Sequence, residues 1–267
     1  MQAILIATVA VGIIGLLMGL LLITVDKKFK VEVDEKELAV REFLPGNNCG
    51  ACGFAGCDAM AAAIAHGEAP VNGCPVGGEP VAEKIAHIMG VETEAAEKKV
   101  AFVKCSGDCE HAKLKCNYVG IKDCASAVAS SISPWLCDYG CLGFGTCAAA
   151  CPFGAITVIN GVAVVDRELC RACGKCVSAC PKHLIEILPD KSTYAVACSS
   201  RDRGPSVKKV CSAGCIGCKL CEKQCESDAI HVENNISHID YEKCVGCGKC
   251  AEKCPVKVIK KRLLENQ

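Results

Sequence analysis

Cys170-Arg171-Ala172-Cys173-Gly174-Lys175-Cys176, closed by Cys180-Pro181, is the stretch that decides how this chain is organised. A thiolate at every third position curls the backbone around an object of several atoms. The further cysteine before proline, at the start of a helix, is placed to reach a neighbouring object of the same kind. This is the spacing of an iron–sulfur run, in which three thiolates hold one cluster and the fourth ligates the next. It recurs at Cys244, Cys247, Cys250 and Cys254-Pro255, so the chain reads as a series of clusters.

The recurrence is an internal repeat. Two segments, from Ala155 and from Ala229, align without a gap at an offset of 74 residues. Their order of β-run, Asn, β-run, Asp and cysteine run predicts a hairpin followed by a cluster loop. Extending the match backwards pairs Cys151, Cys147 and Cys141 with Cys225, Cys221 and Cys215. It then pairs Cys137 with Cys211, and Cys124 with Cys198. One position breaks the match, because Phe144 stands where the second copy has Cys218.

Composition narrows the chemistry. The chain has 267 residues with 26 cysteines, gathered in tight CxxC groups whose neighbouring thiols seldom bridge comfortably. A secreted disulfide scaffold is the usual source of such richness, but those chains are short and carry a cleavable signal. Aromatic residues make up 4%, so the core is thin and clusters substitute for part of it. Lys+Arg and Asp+Glu balance at 30 each, which argues against a nucleic-acid binder.

Ala3–Val25 carries no charge, and its length predicts a helix spanning a bilayer. No basic residue precedes it and no small-x-small site ends it, so a signal peptide fits poorly. Lys27, Lys28 and Lys30 follow, placing the rest of the chain in the cytoplasm by the positive-inside rule. Gly12, Gly15 and Gly19 lie near one face and suit packing against other membrane helices.

Beyond a charged connector, Cys49, Cys52, Cys57 and Cys74 form a four-cysteine group among Gly50, Gly53 and Gly56. Those glycines let the backbone fold tightly and aim N–H groups at sulfurs. Asp58 is expected to cap a helix over Ala59–His66, and Val81–Lys99 reads as a polar helix. His66 and His87 read as surface or packing residues. His183 reads as a surface residue that could otherwise tune a cluster.

An N-terminal apolar helix, this four-cysteine motif and the tandem cysteine runs together resemble the B subunit of the Rnf complex, of the Rnf/Rsx family. The resemblance covers essentially the whole chain. It implies an α+β chain: a transmembrane helix, a small four-cysteine 4Fe–4S domain, and two bacterial-ferredoxin-like two-cluster units. The expected boundaries are 1–28 for the anchor, 29–100 for the four-cysteine domain and connector, and 101–136 for a cysteine-rich insertion. Unit 1 then covers 137–190, a linker with extra cysteines 191–214, and unit 2 residues 215–262.

The cross-over rule of two-cluster ferredoxins assigns four ligand sets. Cys137, Cys141, Cys147 and Cys180 form one, with Cys137 standing in for the ligand lost at Phe144. Cys151, Cys170, Cys173 and Cys176 form its partner. Cys215, Cys218, Cys221 and Cys254 form the third, and Cys225, Cys244, Cys247 and Cys250 the fourth. With the four-cysteine domain these make five clusters and leave Cys105, Cys109, Cys116, Cys124, Cys198 and Cys211. A sixth cluster is expected on the local set Cys105, Cys109, Cys116 and Cys124. A set drawing on Cys198 or Cys211 and omitting Cys116 stays open, as does a role for some of these as plain buried thiols.

No dinucleotide fingerprint, P-loop or Ser/His/Asp pattern is found, so the chain carries electrons and leaves hydride chemistry to a partner. The resemblance implies that reduced ferredoxin supplies the electrons. They would pass along the 4Fe–4S clusters to membrane and flavin- or NAD-binding subunits of an ion-translocating ferredoxin:NAD+ oxidoreductase. The expected location is the cell (inner) membrane, single-pass through lipid at residues 3–25, with the N-terminus outside and the iron–sulfur domains cytoplasmic. An Rsx-type complex that keeps a redox-sensing regulator reduced is the alternative, and a zinc-rich structural module is the alternative from another class. Three basic groups offer docking charge: Lys104, Lys113, Lys115 and Lys122; Arg201, Arg203, Lys208 and Lys209; and Lys257, Lys260, Lys261 and Arg262.

Overall fold

The computed structural model describes residues 2–28, 34–92 and 97–262. An apolar N-terminal stretch free of proline forms helix α1 (Gln2–Lys28). Among the described residues, however, no helix is long and apolar enough to cross a membrane. The transmembrane anchor expected at Ala3–Val25, with its single-pass topology and lipid contact, is therefore corrected. Lys30 lies outside the described residues.

Three helices build the first cysteine domain: α2 (Glu35–Phe43), α3 (Cys57–Ala65) and α4 (Gly78–Met89). The Asp34 side chain accepts from the Lys36 amide at 2.9 Å and starts α2. Val40, Met60, Ile64 and Ile85 meet in a buried core. Helix α3 starts at Cys57, not Ala59, and Asp58 is not its cap. The Asn48 side chain instead accepts from the Cys57 amide at 2.8 Å, while Asp58 pairs with Arg41. The expected long helix also stops early, at Gly90, whose φ of +68° lets its amide turn back to the Ala86 carbonyl. Residues 93–96 of that stretch lie outside the described residues.

Unit 1 comprises β1 (Lys99–Val103), α5 (Cys124–Ala129), α6 (Thr146–Ala149), β2 (Ile156–Ile159), β3 (Val162–Val165), α7 (Lys175–Ala179) and β4 (Ile185–Pro189). Unit 2 comprises β5 (Tyr194–Val196), α8 (Gly204–Val210), α9 (Leu220–Lys223), β6 (Ile230–Glu233), β7 (Ile236–Ile239), α10 (Lys249–Glu252) and β8 (Ile259–Lys261). The expected hairpins are β2–β3 and β6–β7, both antiparallel. Each unit gains a second ladder, β1 against β4 and β5 against β8. Strand β1 thus ties a segment well upstream of residue 137 into unit 1.

Each unit buries few aliphatic side chains, among them Val100, Ile156, Val162 and Ile185 in unit 1 and Val196, Ile230, Ile236 and Val258 in unit 2. At about 2 kcal/mol for each, these cores are small, and cysteines complete both of them. Arg262 fastens the junction of the units. It is 7% exposed, donates to the Pro189 carbonyl at 2.9 Å, lies over the Phe102 ring, and its own carbonyl accepts from Arg167. Arg167 in turn holds Asp190 at 2.6 Å, and this partnership keeps the Asp190 carboxyl below its ordinary range despite partial burial.

Candidate iron–sulfur sites

The 74-residue repeat survives in the backbone angles. Gly143 and Gly217 have φ of +75° and +63°, and Gly145 and Lys219 have +79° and +60°. Adding a Cβ at Gly143 would bring it 2.5 Å from the Gly161 carbonyl oxygen; at Gly217 it would come 2.9 Å from that of Asn235. The two loops therefore wrap the same way, and Phe144 occupies the backbone position of Cys218. The Phe144 ring turns to Tyr118, with centroids 4.9 Å apart.

The thiol that joins this loop is Cys124, where Cys137 was expected. A cavity of about 400 Å³ is lined by Cys124, Cys141, Cys147 and Cys180. Cys124 opens α5, whose capping Asp123 accepts from the Ser126 amide and the Thr146 hydroxyl, both at close range. Thr146 Oγ1 also accepts from the Cys124 amide at 2.8 Å. This clamp presses α5 onto the start of α6. Burial and the neighbouring thiols Cys141, Cys180 and Cys124 push the Cys147 thiol up to about 12.

Cys137 lies in a second cavity, of about 430 Å³, with Cys105, Cys198 and Cys211. Cys141 also borders it, but through its amide, which donates to Cys105 Sγ at 3.4 Å. The matching bond in unit 2 runs from the Cys215 amide to Cys198 Sγ at 3.3 Å. Cys105 and Cys198 are thus structural equivalents, each two residues beyond the end of β1 or β5. The 74-residue register pairs Cys198 with Cys124 instead. The chain separates Cys105 from Cys141 by 36 residues but Cys198 from Cys215 by 17, so an insertion in unit 1 breaks that register upstream of Cys137. Each unit contributes two thiols to this junction cavity. The inserted segment brings two of them together, through Lys113 N–H to the Val210 carbonyl and an isolated bridge between Ala112 and Cys211. Burial raises Cys105 to about 12 and Cys198 to about 11.

The local set expected for the sixth cluster is not assembled. Cys116 is exposed with Sγ against the Ser133 carbonyl, and Cys109 is exposed beside Gly161. The remaining cross-over groups do meet. Cys176 is surrounded by Cys170, Cys173 and Cys151. Cys250 lies near Cys244 and Cys225, and Cys221 near Cys215 and Cys218. Cys254 is buried in the same core as Cys215 and Cys221. Cys74 faces Cys52 and Cys57. Across a cleft from this domain stands the Cys170–Cys173 loop, and Cys49 borders a neighbouring groove with Cys173.

The donor sets fit 4Fe–4S clusters. Four thiols converge in the junction cavity and four in the α5–α6 cavity. Backbone N–H groups of Ala101, Leu184 and Ala229 point at Cys170, Cys180 and Cys225 sulfurs within 3.4 Å. Trp135 lines the junction cavity, and its buried Nε1–H has no partner, as a donor to cluster sulfur would in the absence of that sulfur.

Fold and sites define an iron–sulfur electron carrier with a tandem ferredoxin-like repeat. Family models agree: an Fe-S cluster model matches residues 44–76, and 4Fe-4S binding domain models match 163–186, 237–260 and 212–228. The chain is 45% identical over 260 residues to the B subunit of the Na+-translocating ferredoxin:NAD+ oxidoreductase complex of Acetobacterium woodii, covering 97% of this chain and 78% of that one. It is 44% identical to the B subunit of the ion-translocating oxidoreductase complex of Methanosarcina acetivorans, covering 98% and 100%. Identity is also 44% to the B subunit of the proton-translocating ferredoxin:NAD+ oxidoreductase complex of Clostridium ljungdahlii, covering 97% and 93%. The chain belongs to this family, the B subunits of the ion-translocating (Rnf) oxidoreductase complexes. It is an electron-transfer subunit of an oxidoreductase, and the Rsx-type alternative is not favoured. Translocation of an ion requires a membrane, so complexes of this family are membrane-associated.

Proposed function

We propose that this chain accepts single electrons from reduced ferredoxin and relays them towards the flavin- or NAD-binding and membrane subunits of its complex, at the cytoplasmic face. A 4Fe–4S cluster, when bound, takes up and releases one electron without making or breaking a bond to substrate. Six such groups are assigned. Cys49, Cys52, Cys57 and Cys74 hold the first. Cys151, Cys170, Cys173 and Cys176 hold the second, and Cys124, Cys141, Cys147 and Cys180 the third. The junction set is Cys105, Cys137, Cys198 and Cys211. Cys215, Cys218, Cys221 and Cys254, and Cys225, Cys244, Cys247 and Cys250, complete unit 2.

One observation supports this reading: ligand sets of unit 2, the junction, unit 1 and the first domain are neighbours in space. Cys198 accepts from the Cys215 amide, Cys105 accepts from the Cys141 amide, and the Cys170–Cys173 loop shares a cleft with Cys52 and Cys74. This succession supports a route from unit 2 to the first domain. The chain's own residues fix the loops, exclude water from the junction and aim N–H donors at sulfur. Anaerobic mixing with reduced ferredoxin should bleach the visible absorbance of the iron-loaded chain. Full cluster content with no bleaching would sink the proposal.

A further inference from the structure

In unit 2 one ligand of the first run, Cys218, is exposed while Cys215 and Cys221 are buried. Beside it Leu220 is also exposed, at 43%. Lys219 and Lys223 flank them, both exposed. Helix α8 packs on the same loop. Gly204 is pressed so close that an added Cβ would come 2.6 Å from the Ile216 carbonyl oxygen, and Asn235, which abuts Gly217, donates to the Arg201 carbonyl at 2.9 Å. Exposed Arg201, Arg203, Lys208 and Lys209 are thereby carried to the edge of the Cys218 loop.

None of these six cations has an ion-pair partner among the described residues, in contrast with Lys104, Lys243 and Lys249, which pair with Glu186, Asp240 and Glu226. The acids nearby do not cancel the patch: the Glu222 carboxylate accepts from the Val232 amide, and Asp202 is half-buried. The rival opening, at exposed Cys247 and Val245, is flanked by the paired Lys243 and Lys249. In unit 1 the position equivalent to Cys218 is closed by Phe144 on Tyr118.

We infer that the face formed by α8 and the Cys218–Lys223 loop is the docking surface for an acidic one-electron carrier protein. Resting on the function proposed above, that carrier is ferredoxin. Unpaired cations steer an acidic partner, and Leu220 supplies an apolar contact beside an exposed ligand. One electron leaves the reduced carrier, which is oxidised, and is taken up at the Cys215/Cys218/Cys221/Cys254 site, which is reduced. No bond changes and no proton moves.

The test uses the full iron-loaded chain and a purified acidic bacterial ferredoxin, measured anaerobically by calorimetry and stopped-flow absorbance. Lys208→Glu/Lys209→Glu, and separately Lys219→Glu/Lys223→Glu, should weaken binding and slow reduction by about tenfold or more at low salt. Iron and sulfide content and reduction by dithionite should stay at wild-type values. Lys260→Glu/Lys261→Glu, on β8 and outside this face, should change binding less than about twofold. If both α8-face pairs bind normally while the Lys260/Lys261 pair does not, docking lies elsewhere and this inference falls with ferredoxin still the donor. If the wild-type chain neither binds nor oxidises ferredoxin, the proposed function falls instead.

Discussion

Laid over unit 2 at the 74-residue offset, unit 1 has the same hairpin, the same loop angles and a phenylalanine where unit 2 has a ligand. Unit 2 keeps its run complete and leaves Cys218 at the surface. Unit 1 fills the gap from outside its loop, with Cys124 on α5, and covers the vacated position with an aromatic pair. The lesson is that the backbone wrap and the identity of the ligands are separable. Gly143 and Gly145 preserve the wrap without a thiol between them, because left-handed angles at those positions depend on the residues adopting them.

The sharpest way to break this comparison is to count iron. Cys124→Ser and Cys137→Ser should each lose one cluster, about four irons. The double variant Cys137→Ser/Cys198→Ser should lose no more than either single change, because both thiols serve one site. Cys124→Ser/Cys137→Ser should lose about eight irons, two clusters. Equal losses from the two double variants would return Cys137 to the α6 loop.

A second experiment tests whether only the side chain differs. Phe144→Cys in the Cys124→Ser background should restore the missing iron, since position 144 has the backbone of Cys218. Failure to recover any iron would mean that the loops differ more than their angles suggest.

Smaller effects probe how the units are joined. Arg262→Ala removes a buried guanidinium shared among the Pro189 carbonyl, the Ser192 carbonyl and the Phe102 ring. It should lower stability by about 2 kcal/mol in denaturant unfolding, the size of a hydrogen bond to a charged group. Retention of full stability would show that the ligand sets alone hold the units together. Smallest of all, Trp135→Phe should lower the reduction potential of the junction cluster without losing iron. An N–H donor to sulfur stabilises the more negative, reduced form. An unchanged set of potentials in a spectroelectrochemical titration would mean that Nε1–H does not face the cluster.

Much of this molecule was legible in the order of its cysteines. Spacing fixes which thiols can curl around one cluster, because a CxxCxxC loop is local, and the repeat gave both hairpins and the approach of Cys151 to Cys176 and of Cys225 to Cys250. The family resemblance followed from the same order and agrees with the full-length relatives. The helix expected to cross a membrane was read from apolar length alone and does not stand among the described residues. Asp58 was read as a cap from its place in the sequence. The helix instead starts one residue before it, at Cys57, whose amide donates to the Asn48 side chain, and Asp58 in the first turn pairs with Arg41.

What the sequence determined by itself is therefore the number of cluster runs, their repeat and their chemistry, all set by short-range spacing. What only the tertiary structure decided is the partnership of thiols far apart in the chain: Cys124 with Cys141, Cys147 and Cys180, and Cys105 and Cys137 with Cys198 and Cys211. An insertion between Cys105 and Cys137 shifts the repeat register, so alignment pairs the wrong cysteines. Strand pairing and the packing of two units, which spacing cannot encode, bring the right ones together.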